Sequence, residues 1–107
     1  MMYLDYILER EGKLSIKSDK GFIVYGIYNQ IVFVHDFYVM PEHRMSGEGF
    51  RLADMVVEVG RKNGCKVLQG HVIPSSKGST EAMKVQLAYG MRIESAFNDC
   101  IVMSKEI

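Results

Sequence analysis

The sequence predicts a single α/β domain over residues 1–107, built on a mixed sheet that is antiparallel at its start and parallel in its middle. Three observations predict it. Two runs rich in β-branched and aromatic residues, 22–28 and 31–40, flank the short turn Asn29-Gln30. A run with helical periodicity, 49–63, follows. A further strand-like run, 66–73, comes next, and a strand–helix–strand order implies a right-handed crossover joining parallel strands.

The elements follow in order. Residues 3–10 read as a short helix ended by Glu11-Gly12, and 13–17 alternate polar and apolar, as a strand does. Ser18-Asp19-Lys20-Gly21 is turn chemistry. The strand 22–28 and the long strand 31–40 come next, the latter stopped by Pro41. Simple alternation along it sets Val34, Asp36 and Tyr38 on one face and Phe33, His35 and Phe37 on the other, with His35 a core histidine between Phe33 and Phe37. In the helix 49–63, Arg51, Asp54, Glu58 and Lys62 form one polar stripe. Phe50, Leu52, Ala53, Met55, Val56, Val57 and Val59 cover the rest, so the helix is expected to be buried over most of its girth. Asn63-Gly64 is its C-cap. Ser79 or Thr80 is read as the cap of a last helix that Gly90 stops, and two short strands, near 91–97 and 100–105, close the chain around Asn98-Asp99.

The totals narrow the function. Thirteen basic residues balance thirteen acidic ones, so no overall field draws in nucleic acid or an anionic membrane. No apolar stretch approaches the ~20 residues of a membrane helix, and Met1 to Asp5 does not begin a secretory signal. Cys65 and Cys100 are too few for a disulfide framework or a zinc site, and they read as reduced thiols of a cytoplasmic protein. No metal site is expected, and exposed strand edges leave room for a homodimer.

The chemistry concentrates in Arg44-Met45-Ser46-Gly47-Glu48-Gly49-Phe50, between a strand and a helix. A helix start leaves amides unpaired and favours negative charge, and glycines let the backbone approach a phosphate closely. With Val39, Pro41, Arg44, Gly47 and Gly49 in this register, the segment resembles the central motif of the GNAT superfamily of acyl-CoA-dependent N-acyltransferases, Val-x-Pro-x-x-Arg-x-x-Gly-x-Gly. Asn63-Gly64-Cys65 and the helix ending at Tyr89-Gly90-Met91 extend the resemblance over roughly residues 22–105. The family usually has more helix ahead of these elements.

The resemblance implies a GNAT-like fold whose central parallel strands splay apart. It implies acetyl-CoA as co-substrate and an amine acceptor of unknown identity. The backbone of Phe37, Tyr38, Val39 and Met40 would take the pantetheine arm, and Arg44 to Phe50 the pyrophosphate. Ser79 stands where the family carries an asparagine. The family's usual tyrosine acid, four residues before the glycine, is Gln86 here, which donates a hydrogen bond but no proton at neutral pH. Tyr89 and Tyr38 are its out-of-register substitutes. Asp36 and His71 are the leading candidates for the base, ahead of His35 and His43. The expected function is acetyl transfer from acetyl-CoA to a primary amine of a small molecule or protein by direct attack. The alternative is a non-catalytic CoA-binding or protein-interaction module.

Overall fold

The computed structural model describes residues 2–107; Met1, the first residue of the N-terminal stretch read above, lies outside the described residues. The element order is α1 (Met2–Glu11), β1 (Leu14–Lys17), β2 (Gly21–Tyr28), β3 (Ile31–Val39), a 3-10 turn (Pro41–His43), α2 (Glu48–Lys62), β4 (Val67–Val72), α3 (Ser79–Ala88), β5 (Arg92–Phe97) and β6 (Cys100–Glu106). The strands form one six-stranded sheet in the order β1-β2-β3-β4-β6-β5. Only β3 and β4 are parallel neighbours, and every other pair is antiparallel. Asn29 turns β2 into β3 at φ 56°, a left-handed conformation that asparagine tolerates.

One face of the sheet packs on α2 and α3. Its core holds Ile23, Val32, Leu52, Val56, Leu68, Val72, Met91 and Met103, with Val32, Leu52, Val56 and Met103 wholly inaccessible. Burying each such side chain contributes roughly 1.5–3 kcal/mol. Gly60 lets α2 approach β3, since a Cβ there would lie 2.9 Å from Val32 Cγ1. The burial of α2 is narrower than its sequence suggests. Phe50 and Met55 are each 40 % exposed, so the Leu52–Val56–Val57–Gly60 face carries the core contact, with Val59 packed at its edge. A helix lying on one sheet has a single face to bury, and its apolar flanks stay in water.

The alternation expected along β3 also fails, for a local reason. Val24 pairs with Asp36 but Tyr25 pairs with Val34, so His35 is an extra residue, a β-bulge. A bulge shifts the side-chain parity of the strand beyond it. Val32 before the bulge and Phe37 and Val39 after it therefore face α2, whereas Phe33, Asp36 and Tyr38 face the other side. Phe33 and Phe37 do not share a face, and His35 sits on the bulge rather than between them in the core. The cap of α3 differs too. Gly78, at φ 80°, precedes the first helical residue, and no side chain caps the end. The Ser79 hydroxyl instead donates to the Pro74 carbonyl at 2.9 Å.

Candidate active site

The loop after β3 is held from several sides. Pro41 opens the 3-10 turn, and the Arg44 amide closes it on the Pro41 carbonyl at 3.3 Å. Arg44 Nε donates back to the Val39 carbonyl at 2.8 Å, and its guanidinium lies 5.6 Å from the Tyr38 ring centroid. The loop is thus braced by Arg44, which keeps its cation beside it. Met45 is fully exposed at φ 64°, and Gly47 reaches φ 90° with nothing within 4 Å of a Cβ placed on it. Gly47 is the N-cap of α2 without any capping side chain. The first helical amide with an acceptor is that of Arg51, bonded to the Gly47 carbonyl at 3.0 Å. The amides of Glu48, Gly49 and Phe50 precede it and have no partner within the helix. This ring of donors suits a diphosphate.

Glu48 would oppose such a ligand if its charge faced the amides. It does not. Its carboxylate is buried, accepts from the Ser18 hydroxyl at 2.6 Å, and takes both Arg51 Nε at 2.7 Å and Nη2 at 2.9 Å. The hydrogen bonds from Arg51 and then Ser18 lower its pKa from 4.5 to about 2. The clasp ties the start of α2 to the β1–β2 turn, and the Met40 amide adds a bond to the Lys20 carbonyl at 2.8 Å. Gly49 has a packing role: a Cβ there would sit 2.7 Å from Phe37 Cζ.

Beside this loop the sheet opens. β3 and β4 pair only over Ile31–Val67, Val32–Leu68 and Phe33–Gln69. Beyond that point β3 continues to Val39 and β4 to Val72 without each other, while β4 stays paired with β6 to its end. The expected splay of the parallel strands is present. On the helix side, Gln86 Nε2 donates to the His71 carbonyl at 3.2 Å, a backbone acceptor on the part of β4 that β3 no longer accompanies. Its Oε1 is buried without a partner. Gly70 gives it room, since a Cβ there would lie 2.9 Å from Oε1. Between the end of β4 and α3 lies a hollow of about 320 Å³ bordered by Val72, Pro74, Ser79, Met83 and Ile101.

On the other face, His71 stacks on Phe33 with ring centroids 5.5 Å apart and planes 9° from parallel, and its Nδ1 is buried without a partner. His35 shares a hydrogen bond of 2.8 Å with the Tyr28 hydroxyl. Burial, then Lys13 and His71, lower its pKa. Asp36 is exposed on this same face. The structure therefore brings Asp36 and His71 to one side of the opening, Gln86 and Ser79 to the other, and the loop to its end. His43 is half-buried in the 3-10 turn. Tyr89 is committed elsewhere: its hydroxyl donates to Asp54 at 2.7 Å, and burial, then that bond, raise its pKa. Among the described residues no group of three or more His, Cys, Asp or Glu is placed to hold a metal ion. No described helix is long and apolar enough to cross a membrane. The Ser18–Glu48 contact spans 30 positions, and no local signal in the sequence marks it.

The comparisons with known proteins agree with this geometry. Residues 6–86 match the model of the Acetyltransferase (GNAT) family. No curated protein matches the sequence. Among solved structures, the PaiA N-acetyltransferase from Thermoplasma acidophilum, in complex with coenzyme A, is similar at a TM-score of 0.80 and 16% identity, over 99% of this chain and 69% of that one. The ribosomal-protein-S18-alanine N-acetyltransferase from Escherichia coli is similar at 0.73 and 16% identity, over 100% and 77%. Anti-CRISPR protein AcrVA5 is similar at 0.73 and 20% identity, over 87% of this chain and 97% of that one. At these identities the likeness speaks for the fold.

Proposed function

The chain belongs to the acetyltransferase (GNAT) family, and from that premise we propose that it transfers an acetyl group from acetyl-CoA to a primary amine of a small molecule or protein by direct attack. The observation that carries the reading is the juxtaposition of unpaired amides at the start of α2 with the unpaired halves of β3 and β4. Acetyl-CoA would supply an activated thioester. The amides from Met45 to Phe50 would hold its pyrophosphate, with the Arg44 cation beside them. The backbone from Phe37 to Met40, freed from β4, would align the pantetheine arm. Ser79 borders the hollow on the α3 side.

Asp36 and His71 are the candidates to take the amine's proton. His71 is supported by its unpartnered Nδ1 and Asp36 by its open position on the same face. Gln86 acts as a positioning residue that holds the His71 carbonyl. Neither cysteine is needed as a nucleophile: Cys65 is buried and Cys100 begins β6 at the far turn. Both are free thiols, which supports a cytoplasmic protein. The outer strand β5 is exposed along its length and is where a homodimer would form.

A non-catalytic, CoA-binding module is the second reading. It is favoured by the engagement of two of the candidate donors: Gln86 holds β4 and Tyr89 is bound to Asp54. Native mass spectrometry of the purified protein tests ligand binding, with coenzyme A or acetyl-CoA expected to be retained. Thiol release from acetyl-CoA across a panel of amines separates the readings. His71→Ala and Asp36→Asn are then compared, the true base losing about 10²–10⁴-fold in rate. Failure to bind either nucleotide thioester or thiol would refute both readings.

A further inference from the structure

The sheet face that carries Asp36 has a second hollow, of about 290 Å³, walled by Phe22, Tyr38 and Met40 and edged by the turn at Lys17, Ser18 and Asp19. Phe22 and Tyr38 are cross-strand partners with ring centroids 5.8 Å apart. Tyr38 lies two residues beyond Asp36 on the same face, about 7 Å along the strand. The surroundings form an open shelf, with Tyr28 49% and Tyr38 41% exposed, whereas a small amine is held by a concavity that takes up most of its surface. The charge on the shelf is also telling. Lys13 and Lys17 are paired with Glu11 and Asp5, and Lys20 stands near Glu48. Asp19 and Asp36 are exposed and form no ion pair among the described residues, though Lys13 stands near Asp36 and Arg51 near Asp19.

We infer that the acceptor is the lysine of a polypeptide segment lying extended along β3, with the apolar side chain of its second neighbour in the Phe22–Tyr38–Met40 hollow. The inference rests on the acetyl-transfer reading and gives it a substrate class. An extended segment repeats its side chains on one face every second residue, about 7 Å apart, which matches the spacing from Asp36 to the hollow. The carboxylates attract the lysine ammonium. Once the ammonium has lost a proton, its nitrogen bonds to the acetyl carbon. The carbon–sulfur bond breaks with its electron pair on sulfur, and the thiolate takes up a proton. The balance is ammonium plus thioester to amide plus thiol plus one proton.

The test uses labelled peptides with one lysine among glycines, carrying leucine two residues away, one residue away, or nowhere. Their affinity for the chain saturated with coenzyme A is read by fluorescence anisotropy, and thiol release from acetyl-CoA is read on the same peptides. Leucine at the second position should tighten binding about tenfold over the glycine peptide. Phe22→Ala should cut that preference to about threefold or less, and Phe22→Tyr should keep it. Equal affinities for the three peptides, found in the wild type and again in Phe22→Tyr, overturn the inference, as does leucine favoured at the first position. A small polyamine acetylated faster than every peptide also overturns it while leaving acetyl transfer intact. Discrimination among peptides without thiol release upholds the docking site and removes the transfer.

Discussion

Replacing Gly47 by aspartate puts a carboxylate at the N-cap of α2, beside the amides assigned to the pyrophosphate. The structure separates the two consequences. At φ 90° any side chain is strained, at a cost of roughly 1–2 kcal/mol. Nothing lies within 4 Å of a Cβ there, so no clash with the protein adds to this. Gly47→Ala therefore carries the strain alone, and Gly47→Asp carries strain plus charge. A unit charge about 5 Å from a phosphate oxygen opposes it by roughly 1–3 kcal/mol at an effective dielectric of about 20–80. Affinity for acetyl-CoA should thus fall about tenfold or more in Gly47→Asp beyond its fall in Gly47→Ala. Calorimetry measures both, with a melting curve to establish that each variant is folded. The charge part should shrink as salt is raised, because the site is at the surface. A folded Gly47→Asp that binds as tightly as Gly47→Ala at low salt would refute the placement of the pyrophosphate.

Glu48 gives a pH signature. Its carboxyl is lowered in the fold from 4.5 to about 2, so its contribution to stability is present above pH 4.5 and is lost as pH falls toward 2. Wild type should lose more melting temperature across that window than Glu48→Gln, and parallel melting profiles would count against the clasp. Gln86→Leu leaves the His71 carbonyl without its donor and should destabilise the fold by about 1–3 kcal/mol in urea titrations; an unchanged midpoint would mean that the bond holds nothing. Tyr89→Phe should leave thiol release within about twofold of wild type, because the hydroxyl is bound to Asp54. A loss on the scale of general acid catalysis, about 10²-fold or more, would instead make Tyr89 the proton donor.

What the sequence determined by itself was the succession of elements and the glycine-bearing loop between β3 and α2. Both are local. Periodicity over a few residues marks the strands and α2, and Pro41, Gly47 and Gly64 act through their own backbone preferences. The parallel pair followed from strand–helix–strand order alone. Tertiary structure decided which side chains meet. The bulge at His35 arises from the register of β3 against β2, and it turned Phe37 toward α2 and left Asp36 on the opposite face. A one-residue slip inverts every later side chain, and no alternation pattern read along one strand contains its partner's register. The contacts that set the site's chemistry join distant positions: Ser18 with Glu48, His71 with Gln86, Asp54 with Tyr89. Each is a polar pair whose partners lie far apart in sequence and are brought within reach only by the packing of separate elements, a condition that exists only once the chain has folded.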